Sequence, residues 1–195
     1  MAREIHLIRH GQSTFNAIHA ATGVDPGHPD APLTELGRQQ VAAARERLEP
    51  LAFDLVVASP LTRAIQTATG IFGHRAIPLE VTCRHRERLE SSCDVGRGPH
   101  ELAADFPHLA FDHLQPVWWH VGDGPNERGF CPEPNDVFQE RVALFGEWLI
   151  ARPERRIAVV GHGTFFHAMT GRFLANCESM VWEPEGTMVP EPSRT

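Results

Sequence analysis

Apolar positions along the chain fall into short unbroken runs and longer stretches spaced by three and four. The run over residues 4–8, interrupted by His6, predicts a strand, and Arg9-His10-Gly11 follows it directly. Residues 23–32 hold three prolines and two glycines and predict a loop. Thr34 is then a helix N-cap with Glu35 in the first turn; Val41, Ala44 and Leu48 continue at helical spacing, and Pro50 stops the helix. A second apolar strand is expected over 53–58. Ser59-Pro60 opens the next helix, with proline at a first-turn position, and Leu61, Ala64, Ile65 and Ala68 share one side. A strand over 77–81 follows.

Residues 83–134 differ, with much of the His, Pro and Gly and weak periodicity. They predict an irregular lid with one or two short helices, such as 99–106. Asp136 then caps a helix through Ala151, with Val137, Val142, Phe145, Trp148 and Leu149 inward. Residues 156–161 form a buried strand. His162-Gly163 follows, then an apolar helix to about Leu174 and an edge strand over 179–182. The tail from Glu183 carries three Pro and three Glu and is expected to be loose. Strands alternating with helices give an α/β class with a largely parallel sheet. At 195 residues the chain is one domain, 1–195, with the lid inserted at about 83–134.

Composition adds limits. The formal net charge of −7 disfavours general binding to nucleic acid or anionic membrane. No apolar run reaches the length of a membrane span, and the N-terminal run is too short and polar for a secretory signal. Cys83, Cys93, Cys131 and Cys177 show neither a C-x-x-C pair nor metal-finger spacing, so they are expected to be free thiols in a cytoplasmic protein.

Ligands of such sheets bind beyond the carboxyl ends of strands. That rule selects Arg9-His10-Gly11, residues 59–63, and His162-Gly163. A histidine at a strand end can attack with one nitrogen while a backbone acceptor orients the other. The guanidinium of Arg9 offers bidentate binding to phosphate oxygens. Gly11 lets the backbone approach an anion closely, and Ser13 and Asn16 add donors. Arg63, near a helix N-terminus, adds a full charge where anions are already favoured. His162 sits between glycines, and the backbone N–H after it faces the same crevice. Singly, each is explained as a surface charge or loop residue. Three basic or imidazole-bearing strand ends in one sheet are not explained by packing.

The chain resembles the histidine phosphatase superfamily, also called phosphoglycerate-mutase-like, over nearly its whole length. The likeness rests on Leu7-Ile8-Arg9-His10-Gly11-Gln12-Ser13 with Asn16, on Leu33-Thr34-Glu35-Leu36-Gly37, on residues 58–68 with the second arginine, and on Val159-Val160-Gly161-His162-Gly163. The resemblance implies a three-layer α/β/α sandwich with a lid over the site. It implies a metal-independent phosphatase without cofactor, acting on small phosphorylated substrates through a phosphohistidine. His10 would be the phosphoryl acceptor. Arg9, Arg63, His162 and Gly163 would bind the transferring group, with Ser13 and Asn16 as phosphate contacts. Two arginines and a second imidazole can neutralise the equatorial oxygens without a metal and favour unprotonated His10.

The leaving oxygen needs a proton, expected from a lid carboxylic acid. The family's usual acid precedes a Gly-x-Trp-x-Gly pattern that this chain lacks. Glu87 aligns best through Arg86 and Arg88, with Glu90 as runner-up and Asp94 as an outsider. Arg84, Arg86 and Arg88 are expected as an exposed charge run. His100, His113, Trp118, Trp119 and His120 are either pocket walls or lid core. A phosphoglycerate-type mutase would use the same core residues, and a non-catalytic phospho-ligand binder is the alternative from another class. No H-E-x-x-H pair and no G-x-S-x-G elbow is present.

Overall fold

A computed structural model describes residues 3–183. Five strands form one sheet: β1 Glu4–Arg9, β2 Leu55–Ala58, β3 Leu79–Val81, β4 Arg156–Gly161 and β5 Ser179–Trp182. Their order is β3-β2-β4-β1-β5, with β5 alone antiparallel. Six helices surround them: α1 Thr14–Thr22, α2 Glu35–Leu48, α3 Thr62–Phe72, α4 Pro99–Asp105, α5 Asn135–Ile150 and α6 Gly163–Thr170. The expected α/β class with a largely parallel sheet is what the chain forms.

Alternation along each strand divides the core between the two faces of the sheet. Val56, Ala58, Ala158 and Val160 pack with Val41, Ala44, Ala68 and Ile71 of α2 and α3. Leu55, Val57, Ile157 and Val159 pack with Phe138, Phe145, Phe165 and Phe166 of α5 and α6. Helix, sheet and helix thus make three layers. Central β4 is apolar on both faces, which explains its unbroken hydrophobic run. The segment between β3 and α5 has its own small core. Leu102, Phe111, Leu114 and Trp118 pack there against Leu61 and Ile65 of the α3 region.

Five expected boundaries need correction. Strand β2 starts at Leu55 rather than at 53 and β3 at Leu79 rather than at 77, where the pairing with their neighbours begins. Helix α3 begins at Thr62, two residues later than Pro60, because Leu61 keeps extended backbone as the N-cap and Asp30 accepts the Thr62 N–H at 2.7 Å. This cap comes from a loop far away in sequence. Helix α6 ends at Thr170, short of Leu174, because Gly171 adopts the left-handed conformation at φ 73° and its N–H closes on the His167 carbonyl. In α5 the inward residues are Phe138, Val142, Phe145 and Leu149, with the expected Trp148 partly buried against the same core; Val137 is 40% exposed, one position off that stripe. The N-cap there is Pro134, and Asp136 lies in the first turn. The expected short helix over 99–106 is present as α4, with two 3₁₀ turns, Cys83–His85 and Ser92–Asp94, before it. Past Glu183 the expected loose tail lies outside the described residues. Among the described residues no helix is long and apolar enough to cross a membrane.

Candidate active site

The order β2-β4-β1 brings the three selected strand ends side by side. Register places Arg9 against Gly161 and Ala58 against Val160. The pairing continues past the strands, as His10 N–H donates to the Gly161 carbonyl at 2.9 Å and Ser59 N–H to Val160 at 3.1 Å. The rings of His10 and His162 therefore stand with centroids 5.3 Å apart. A cavity of about 190 Å³ opens here, its wall including Arg9, His10, Asn16, Arg63, Glu87 and Gly163. A larger groove of about 680 Å³, between residues 80–86 and α5, holds none of His10, Arg63 or His162.

His10 is buried and oriented. Its Nδ1 lies 2.7 Å from the Gly11 carbonyl, which can only accept, so Nδ1 carries the proton and Nε2 the lone pair. Arg63 Nε donates to that Nε2 at 3.2 Å. Burial first, then the charges of Arg63 and Arg9, hold the imidazole well below its ordinary pKa, so it is neutral. Asn176 clamps its carbonyl from the far side of the chain, donating from Nδ2 at 2.9 Å. Gly11 has a different reason from the close approach to an anion expected of it. A Cβ there would lie 2.7 Å from the Gly37 carbonyl oxygen, and one on Gly37 only 2.2 Å from that of Gln12. The two glycines let the loop after β1 cross the start of α2.

Arg63 is almost wholly buried. Besides His10 it reaches the Cys93 carbonyl at 2.6 Å and Asp94 Oδ1 at 2.9 Å. The Arg9 guanidinium lies over the backbone of Gly163, where a Cβ would sit 3.3 Å from its Cζ, and donates to the Leu174 carbonyl at 2.7 Å. His162 Nε2 is 2.7 Å from Ser59 Oγ. Burial first, then Arg63 and His10, keep its pKa well below the ordinary value as well. Arg9 Nε and His162 Nδ1 are buried polar nitrogens with no partner among the described residues.

Not every expected residue reaches the cavity: His162 is fully buried and is not on its wall. Ser13 is buried as the N-cap of α1: its Oγ accepts the Asn16 N–H while Asn16 Oδ1 accepts the Ser13 N–H, each at 3.1 Å. Its Oγ is engaged as an acceptor in the helix cap and its side chain is buried off the wall, so of the two only Asn16 lines the cavity. Trp118 is core of the inserted segment and donates to the Arg97 carbonyl at 2.8 Å; His113 lies 2.6 Å from that of Val81. None of His100, His113, Trp118, Trp119 or His120 lines the cavity.

The three carboxyl candidates separate clearly. Glu90 is half exposed on the rim and paired with Arg88 at 3.0 Å. Asp94 is buried against Arg63, and its Oδ2 accepts the N–H groups of Glu90 and Ser91. Glu87 enters the cavity with its carboxyl at the N-terminus of α6, accepting from Thr164 and Phe165 N–H at 3.0 Å each and from Arg88 N–H at 2.9 Å. Burial and the neighbouring Asp94 nevertheless push Glu87 up to about 7. Burial also raises Asp94, but Arg63 and the backbone donors draw it back. Glu87 is thus the member of the pair that holds a proton near neutrality.

The sequence did not single out Asn176, nor the pairing of Asp94 with Arg63. Thr67 accepts the Gly11 N–H at 3.0 Å and Ser59 orients His162; both lie in the quoted 58–68 stretch, which was the available signal. Arg86 overturns the exposed charge run, since only 14% of its side chain is exposed and it is paired with the buried Glu133.

Residues 5–187 match the model of the histidine phosphatase superfamily (branch 1). The chain belongs to this superfamily. It is 36% identical over 184 residues to the adenosylcobalamin/alpha-ribazole phosphatase of Escherichia coli, covering 90% of this chain and 81% of that one. It is 29% identical over 216 residues to a phosphoglycerate mutase-like protein of Arabidopsis thaliana, covering 90% and 76%. The fold is shared with the crystal structure of the alpha-ribazole phosphatase from Shigella flexneri at a TM-score of 0.62 and 19% identity, over 91% of this chain and 89% of that one.

Proposed function

We propose that the chain hydrolyses phosphate monoesters of small molecules by transferring the phosphoryl group to His10 Nε2 and then to water. One observation carries this: a neutral imidazole with its lone pair beside Arg63, in a cavity that also holds a carboxyl with a pKa of about 7. The phosphatase names of relatives support the same class.

In the first step a phosphoryl oxygen takes over the Arg63 Nε–H that is bound to His10 Nε2, the freed Nε2 lone pair attacks phosphorus, and the P–O bond to the leaving group breaks. Arg9 and Arg63 line the cavity and can meet the equatorial oxygens, with Asn16 and the Gly163 backbone on the same wall; His162 stands buried beside the His10 ring, behind that wall. A phosphoryl group would supply the acceptor that Arg9 Nε lacks inside the protein. Glu87 protonates the leaving oxygen. Its hydrogen-bonding neighbours are all N–H donors, so its proton has no fixed protein acceptor to compete with the substrate. In the second step Glu87 takes a proton from water as the oxygen attacks phosphorus, the P–N bond breaks, and His10 recovers its lone pair. No metal enters this scheme, because the arginines carry the neutralising charge. The cavity of about 190 Å³ is small for a whole ligand, so most of the ester would lie outside it, past the exposed Phe173 at its rim. A cytoplasmic setting completes the proposal and is supported by four free cysteines.

The test is rapid quench with a ³²P-labelled ester after exhaustive chelation. An acid-labile, base-stable label on the wild type, absent from His10→Ala, is expected. Turnover that vanishes with EDTA and returns with a divalent ion would refute the metal-free scheme.

A further inference from the structure

We infer that Glu133 and Arg141 are positioning residues for Glu87, holding the peptide that aims its carboxyl at the leaving oxygen. The inference rests on the proposed role of Glu87 as the acid. Glu133 has no side-chain exposure, although it lies at the end of the inserted segment. Its Oε1 accepts from Arg86 at 2.9 Å and from Arg141 Nε at 3.0 Å, while Oε2 accepts from Arg141 Nη2. One carboxylate thus joins an arginine before Glu87 to an arginine of α5.

The same groups also hold the backbone on both sides of Glu87. Arg141 Nη1 donates to the carbonyls of Arg86 at 2.7 Å and Arg84 at 3.3 Å, and Nη2 reaches that of Glu87 at 3.5 Å. The Glu133 N–H donates to the Leu89 carbonyl at 2.9 Å, and Arg88 Nε to the Glu133 carbonyl at 3.2 Å. The Arg141 guanidinium also lies 5.2 Å from the ring centre of Phe165, whose N–H binds the Glu87 carboxyl. Arg141 therefore touches both ends of Glu87's placement: its peptide and its carboxyl partner.

Stability alone is a poor explanation for this cluster. Buried ion pairs carry a desolvation cost that apolar residues of similar volume avoid. Their specific product is geometry, since a guanidinium fork fixes direction where apolar packing does not. A small displacement of a catalytic group costs rate steeply.

The test compares an alkyl phosphate with p-nitrophenyl phosphate, whose leaving group departs without full protonation. Glu133→Gln, Glu87→Gln and the double variant are measured together. Glu133→Gln is expected to lower kcat on the alkyl ester about tenfold or more, as expected for a misplaced group, and on p-nitrophenyl phosphate less than about threefold. The double variant should be no slower than Glu87→Gln, because a residue acting only through Glu87 adds nothing once the acid is gone. Equal losses on both esters, or losses that multiply in the double variant, overturn the positioning role. Absence of leaving-group dependence in Glu87→Gln instead overturns Glu87 as the acid. Should Glu133→Gln lose its folded circular dichroism, Arg141→Lys carries the same comparison, with charge kept and the fork removed.

Discussion

His10 and Glu87 line one cavity but are placed by opposite means. The proton of His10 Nδ1 is bound one residue away, at Gly11, and its backbone extends the β1–β4 pairing. Glu87 has one local donor, the adjacent Arg88 N–H, but its other holds come from N–H groups 77 and 78 residues away and from a cluster reaching α5. The floor of the site is thus a by-product of strands that must pair to bury their apolar faces. The cover is assembled from ion pairs and a helix N-terminus that no local pattern specifies. Charge divides the same way. The floor holds two imidazoles kept neutral by burial and two cations, whereas the cover contributes the acids Glu87 and Asp94.

The sharpest way to break this comparison is to remove His10, the proposed nucleophile. His10→Ala should reduce kcat by about 10⁴-fold or more, the scale lost when a covalent nucleophile is deleted, while far-UV circular dichroism stays native. Near-normal turnover of an alkyl phosphate by this variant would place the chemistry elsewhere.

The contrast explains how much could be read from sequence. Strand ends β1, β2 and β4 were legible because apolar runs ending in Arg-His-Gly, Ser-Pro and Gly-His-Gly mark where a buried strand meets the surface. That β4 lies between β2 and β1, bringing all three ends together, is a matter of topology rather than local pattern. Glu87 was legible only through its arginine neighbours. Asp94 illustrates what was not: from sequence it is another acid in an irregular stretch, and only the fold puts it 2.9 Å from Arg63. Ser13 shows the ambiguity in the other direction, since a donor three residues from His10 reads equally as ligand contact and as helix cap, and the structure shows it in the cap.

Removing Glu87, the proposed acid, should cost less than removing His10. Glu87→Gln is expected to slow an alkyl phosphate by about 10²–10⁴-fold and p-nitrophenyl phosphate much less. The pH dependence follows from the sign of each shift. Glu87 is raised to about 7, so its donating form is present below that pH and lost above it, giving an alkaline limb near 7 in the free enzyme. His10 is lowered, so its nucleophilic form persists on the acid side of the ordinary value of 6.5. In Glu87→Gln the alkaline limb should flatten while the acid side is unchanged. A limb that persists at the same pH would assign it to another group.

The smallest effect is expected at Glu90, three residues from Glu87. Both are glutamates of the same irregular stretch, only Glu87 being flanked by arginines, and a three-residue shift in reading the insertion exchanges them. Their surroundings differ sharply. Glu90 has 48% of its side chain exposed and a partner, Arg88, that is itself at the rim. Water solvates its carboxylate, and an exposed pair of this kind contributes about 0–1 kcal/mol. Among the described residues no backbone donor fixes it toward His10. Glu90→Gln should therefore stay within about threefold of wild type on both esters, since exposed pairs of this kind contribute so little, with the alkaline limb in place. A leaving-group-dependent loss in Glu90→Gln, with none in Glu87→Gln, would exchange the two roles and make the α6 N-terminus an anchor for a structural carboxylate rather than a seat for the acid.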